Sequence, residues 1–161
     1  MGNWCLNEVQ FIGDDLQLQE LGKMIAELIE KEAKSGRGQL FPIAEVKEGY
    51  LFEVSYADGQ LSYLTKYMPN SVMVMALADY LGLDFVHLYC EPAMGVFGQD
   101  TYHKGQLLEV FISAEDYQKF DFEYGKGYTF ENKLYPTEDQ VLRIILNQKS
   151  KELLQNQSKA L

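Results

Sequence analysis

The stretch GYLFEVSYADGQLSYLTKYMP, residues 49–69, carries the reading of the fold. Two runs of alternating apolar and polar residues flank Asp58-Gly59, a pair suited to the positive φ angles of a two-residue hairpin turn. The first run, Gly49 to Tyr56, sets Tyr50, Phe52, Val54 and Tyr56 on one face. The second, Leu61 to Met68, does the same with Leu61, Tyr63, Thr65 and Tyr67. Pro69-Asn70-Ser71 then opens a helix that runs to about Leu81 and stops at Gly82. That helix is apolar nearly all round, so deep packing is expected.

Toward the N-terminus, Trp4 to Ile12 alternates as a strand, with Cys5, Asn7, Val9 and Phe11 on one face. Gly13-Asp14-Asp15 breaks it. From Leu16 to Lys34 the period changes to 3.6, with Leu18, Leu21, Met24, Ile25, Leu28 and Ile29 on one arc. Gly36 suits a left-handed cap at the end of that helix. Leu40 to Lys47 is a connector. Toward the C-terminus, Asp84 to Glu91 is a strand ended by Pro92.

Strand, helix, strand, strand, helix, strand is the order of an α+β, ferredoxin-like βαββαβ core. It predicts sheet order 4-1-3-2 with both helices on one face. Residues 93–146 read as an elaboration. Val96–Tyr102 and Leu107–Ile112 form a hairpin about His103-Lys104-Gly105, and Ser113 caps a short helix. A last strand spans Tyr128–Leu134, and a C-terminal helix follows a Thr137–Gln140 capping box, with Val141, Ile144 and Ile145 inward. Residues 147–161 are polar and are expected to fray. With no linker in sight, the whole of 1–161 reads as one domain.

The chain of 161 residues carries a net charge of −10, from 24 acidic against 14 basic residues. No Lys or Arg cluster is present to meet a phosphate backbone, so direct nucleic-acid binding is not expected. Two cysteines do not make a disulfide scaffold. The N-terminus lacks the basic and apolar segments of a signal peptide, and no apolar run has the ~18 residues of a membrane span. A cytoplasmic location without membrane contact is expected.

Three segments resemble a known family. Asn3-Trp4-Cys5-Leu6-Asn7 resembles the first strand of the Api-ninety-two-like ferredoxin-fold family. Leu61 to Pro69 looks like its strand ending in a Thr-x-aromatic-x-Pro turn, here Thr65, Tyr67 and Pro69. Leu83 to Glu91 with downstream Phe97-Gly98 is similar to a third segment. The matching segments span roughly residues 3 to 105, though the Trp-Gly-Thr-Lys-Trp segment of many members is absent. The resemblance implies a ferredoxin-like fold and a bacterial setting on phages, plasmids or conjugative elements. It implies no reaction.

Candidate chemistry is sparse. His87 and Cys90 lie three apart on a strand and so face opposite ways. His87 and Glu91 share a face but stand about 13 Å apart, too far for one zinc ion. No metal or other cofactor is expected. Asp14/Asp15, Glu115/Asp116 and Glu138/Asp139 read as helix-opening acids. Neither histidine has a recognisable nucleophile partner, so no catalytic residue is assigned. Cys5 and Cys90 are expected as neighbouring, reduced thiols on the helix-covered face. The open face of the sheet is expected to carry Trp4, His87 and Tyr89, which with Glu91 make a candidate interaction surface. The functional expectation is a non-enzymatic protein-binding or regulatory module. An acidic decoy that mimics DNA and an enzyme with an unrecognised site are the alternatives.

Overall fold

A computed structural model of the chain describes residues 2–43 and 46–160. Ala44 and Glu45 of the expected connector lie outside the described residues, as do Met1 and Leu161. The chain divides into two compact units, Met1–Leu108 and Glu109–Leu161. No linker marks the division in the sequence, because it falls inside a strand.

The first unit contains β1 (Trp4–Ile12), α1 (Asp15–Ser35), β2 (Phe52–Ala57), β3 (Gln60–Lys66), α2 (Ser71–Leu81), β4 (Asp84–Glu91) and β5 (Val96–His103). The strand β6 (Gln106–Phe111) leads out of it. The sheet order is β2-β3-β1-β4-β5-β6. Every resolved pairing of β1 to β5 is antiparallel. The strands expected in an elaboration thus extend the same sheet at its β4 edge.

Local chemistry explains the elements. Asp14 and Gln17 form a reciprocal capping box at 2.8 Å in both directions, and Gly36 ends α1 at φ 63°. The Gln17 side chain also donates to the carbonyl of Gly82, tying the start of α1 to the end of α2 at 2.9 Å. Leu21, Ile25 and Leu28 of α1 and Val74, Leu77 and Ala78 of α2 are buried in one cluster with Val9, Phe11, Leu61, Tyr63 and Phe85 of the sheet. At α2 the packing is one-sided, contrary to expectation: Val72 and Tyr80 are exposed.

The face expected for β2 is also corrected. A bulge shifts its register between Phe52 and Ser55, with Glu53 held at φ 54°. The Glu32 carboxylate of α1 accepts from the backbone N–H groups of Glu53 (2.7 Å) and Val54 (3.0 Å), pinning the bulge. Leu51 and Val54 are therefore buried, whereas Phe52 pairs with Leu64.

The second unit contains a three-stranded meander, β7 (Asp121–Glu123), β8 (Gly127–Phe130) and β9 (Lys133–Tyr135), and the helix α3 (Glu138–Lys159). The single strand expected over Tyr128–Leu134 is a hairpin turned at Glu131-Asn132, both at positive φ. Helix α3 buries Val141, Leu142, Ile145 and Leu146. It continues to Lys159, past the expected fraying point, since Leu, Gln, Lys and Glu are good helix formers. The Ser113 hydroxyl does not cap a helix; it donates to Asp116 and Glu115.

Asp116 is the buried charge of this unit. It accepts from the Ser113 N–H (2.8 Å), Lys119 Nζ (2.7 Å) and Lys149 Nζ (2.5 Å). Burial pushes its pKa up, but the two lysines and the Ser113 N–H outweigh that and hold it well below the carboxylate range. A depressed pKa gives stability that is present above the unfolded value of about 3.9 and is lost as pH falls below it. Asp116→Asn is expected to cost about 1–3 kcal/mol at neutral pH. It should also flatten the acid loss below about pH 4. Amide hydrogen exchange along α3, followed against pH, checks both effects.

Candidate functional site

The covered face of the first sheet has an apolar half and a polar half. Leu61, Val9 and Phe85 fill the apolar half. The polar half lies where β1 begins, β4 ends and α2 starts. It holds Thr65, Cys5, Asn7, His87, Tyr89, Glu91 and Asp100, all under 5 % exposed.

Asn7 organises it. Its Nδ2 donates to the carbonyl of Cys5 (3.0 Å) and to Thr65 Oγ1 (2.9 Å). The Thr65 hydroxyl donates in turn to the carbonyl of Met68 at 2.7 Å. Carbonyls only accept, so both contacts fix which end of the Asn7 amide carries nitrogen. Asn7 Oδ1 therefore faces His87 Nε2 at 2.9 Å and must accept from it. The proton of neutral His87 is on Nε2, and Nδ1 carries a lone pair. Ser71 Oγ lies 3.2 Å from that Nδ1 and donates to it. Burial lowers the His87 pKa to about 3, so the ring is neutral across the physiological range.

Neighbouring groups are satisfied in the same way. Tyr63 donates to Asn70 Oδ1 at 2.5 Å, and the Asn70 amide donates to the Gly49 carbonyl at 3.3 Å. Asn70 precedes α2 yet makes no side-chain cap on it. Tyr89 donates to Asp100 at 3.2 Å, and Glu91 accepts from the Met94 N–H. Gly98 sits opposite Tyr89, where a Cβ would come within 2.5 Å of the ring.

The other face carries a row that crosses five strands in register: Phe52, Leu64, Leu6, Cys90 and Phe97. Leu6 is 44 % exposed and the adjacent Trp4 39 %. Trp4 meets Phe52 edge-on at 5.1 Å, and Lys66 Nζ stands 5.9 Å and 5.5 Å over the two rings.

The expected interaction surface is thereby corrected. Trp4 is on the open face, whereas His87, Tyr89 and Glu91 are buried on the opposite one. The expected phase of β4 is one residue out. The ladder sets Cys90 against Leu6 and His87 against Val9, so His87 shares the face of Cys5 and Cys90 does not. The two thiols are close but point to opposite sides of the sheet. Cys5 is fully buried, and burial raises its pKa to about 11. His87 and Cys90 do face opposite ways. Among the described residues no group of three or more His, Cys, Asp or Glu is placed to hold a metal. None of the described helices is long and apolar enough to cross a membrane.

An open depression of about 500 Å³ lies at the far end of β4, lined in part by Gly13, Asp79, Asp84 and Tyr102. Its carboxylates are engaged: Tyr102 donates to Asp79, and Asp84 meets His103 Nδ1 at 2.6 Å and the Lys104 N–H at 3.0 Å.

The profile of the ferredoxin-like domain in Api92-like protein matches residues 49–135. The chain belongs to the Api92-like family. No curated protein and no solved structure matches it. The match runs from just before β2 to β9 in this Api92-like chain, so Thr65, Ser71 and His87 lie inside it and Asn7 outside.

Two outcomes are expected. Protonating the buried His87 opposes folding, and a depressed folded pKa gives stability present above about pH 6.5 and lost as pH falls toward 3. Denaturant titrations at several pH values should show that slope, and His87→Gln should remove it. With a thiol reagent under native conditions, Cys90 should react before Cys5, as site-resolved mass spectrometry would read.

Proposed function

We propose that the first unit is a protein-binding module that engages its partner through the open face of the sheet. We further infer that this unit is a ferredoxin-like βαββαβ core of order 4-1-3-2, lengthened at its fourth strand by β5 and β6. The element order and the pairing of β1 with both β3 and β4 support that inference. A cytoplasmic setting fits two free cysteines.

The observation that carries the binding proposal is the exposed pair Trp4 and Leu6, with half-buried Phe52 and Leu64 and the Lys66 ammonium beside them. Phe97, at the far end of the registered row, is buried and takes no part. Aromatic rings and exposed aliphatic side chains in one patch are the ordinary material of an interface centre. Lys66 over the rings favours a partner that offers an apolar side chain bordered by a carboxylate. The decoy reading needs carboxylates spaced along a surface, and this patch is led instead by rings and a lysine.

The test is capture of a partner by the full chain, followed by titration of that purified partner. Trp4→Ala and Leu6→Glu should each weaken binding at least about tenfold, as expected of central contacts. Phe122→Ala, which alters an exposed ring of the second unit, should leave binding unchanged. A partner whose affinity ignores Trp4 and Leu6 while both variants stay folded would refute the proposal.

A further inference from the structure

The Ser71–His87–Asn7 chain has the connectivity of a nucleophile, a base and a positioning residue. We propose that Ser71 is an activated nucleophile that accepts an acyl group from esters with an apolar acyl chain. This goes beyond the binding reading and uses the opposite face of the sheet.

Three observations carry it. The direction of every proton in the chain follows from the two carbonyls at its ends, and it leaves the Nδ1 lone pair of His87 aimed at the Ser71 hydroxyl. Asn7 serves as the positioning residue, since its Oδ1 holds the ring in the one tautomer that can take a proton from Ser71. Ser71 is also the first residue of an 11-residue helix whose N-terminus has no side-chain cap. Asn70, the residue that would cap it, is drawn away by Tyr63 and Gly49. Backbone N–H groups at such an end favour developing negative charge, as on a tetrahedral oxyanion. Finally, Ser71 is only partly buried, and it is flanked in the chain by Tyr67, Met68 and Val72, each more than half exposed. Tyr67 is held at φ 69°, a conformation that costs energy for an aromatic residue. These side chains would meet the acyl chain.

The step balances without a co-reactant. The Ser71 hydroxyl proton moves to His87 Nδ1 while Oγ bonds to the ester carbonyl carbon. The C–O bond to the leaving group breaks, and the proton passes from Nδ1 to the departing oxygen. The products are acyl-Ser71 and an alcohol; water later releases the acid by the same path in reverse. Burial disfavours the imidazolium formed on the way, although Asp100 stands opposite His87 in the ladder and Glu91 lies further along the same face. Slow acylation is therefore expected, better read as covalent labelling than as turnover.

The experiment treats the folded full chain with an alkyl fluorophosphonate and with p-nitrophenyl butyrate, and maps the adducts by mass spectrometry. Ser71 should label on the order of a hundredfold faster than the exposed Ser35, the low end of general-base assistance. Ser71→Ala should abolish that adduct in a chain that still folds, with a melting temperature lowered by the loss of the hydrogen bond to His87. The rate should be flat from about pH 5 to 8, because His87 stays neutral there. Labelling of Ser71 less than about tenfold faster than Ser35 would overturn the proposal. So would a folded His87→Gln variant that labels at the wild-type rate, and so would a rate that simply rises with hydroxide.

Discussion

Asn7 is fully buried in the middle of a sheet, and its primary amide spends both protons and its oxygen on three different elements. A buried polar group without partners costs several kcal/mol, so its place is tolerable only where partners are arranged around it. Those partners are the start of its own strand, Thr65 at the end of β3 and His87 in β4. Through Thr65 the constraint reaches the turn at Met68, and through His87 it reaches the first residue of α2. The register of three strands and the entry of one helix are thus tied to a single side chain. No described buried side-chain polar atom is left without a partner.

The sheet divides labour along its strands as well as across its faces. On the covered side, packing against α1 and α2 supplies the apolar drive, while the polar half fixes which alignment is allowed. On the open side the same strands present rings and aliphatic side chains that no described helix of the first unit needs for its core. The second unit holds itself by different means, with Asp116 drawing Ser113, Lys119 and Lys149 together.

Much of the fold was legible where local chemistry is strong. Asp58-Gly59 marks its hairpin, the change of period marks α1, and Gly36 and Gly82 mark helix ends at positive φ. The phase of β4 was not legible. Phe85, His87 and Tyr89 alternate with Val86, Leu88 and Cys90, and either set makes a plausible inner face. Only the cross-strand pairing of Phe85 with Phe11 decides between them, and that is a long-range fact. The bulge in β2 was hidden for a similar reason, since it depends on Glu32 reaching over from α1. Ser71 and His87 are 16 residues apart with no motif between them, so their contact could be found only in three dimensions. A signal did exist: Asn7, Thr65 and His87 all fall on faces otherwise filled by apolar residues, and polar residues in such places require one another.

The accessible part of the row, Phe52, Leu64, Leu6 and Cys90, draws each member from a different strand. No continuous peptide of this chain contains the surface they make. Its recognition is therefore a report on folding itself: a binder raised against the patch would be blind to fragments, to the nascent chain before Cys90 has emerged, and to any misregistered sheet. Such a molecule would count native copies only, and whatever partner uses this face would draw the same distinction.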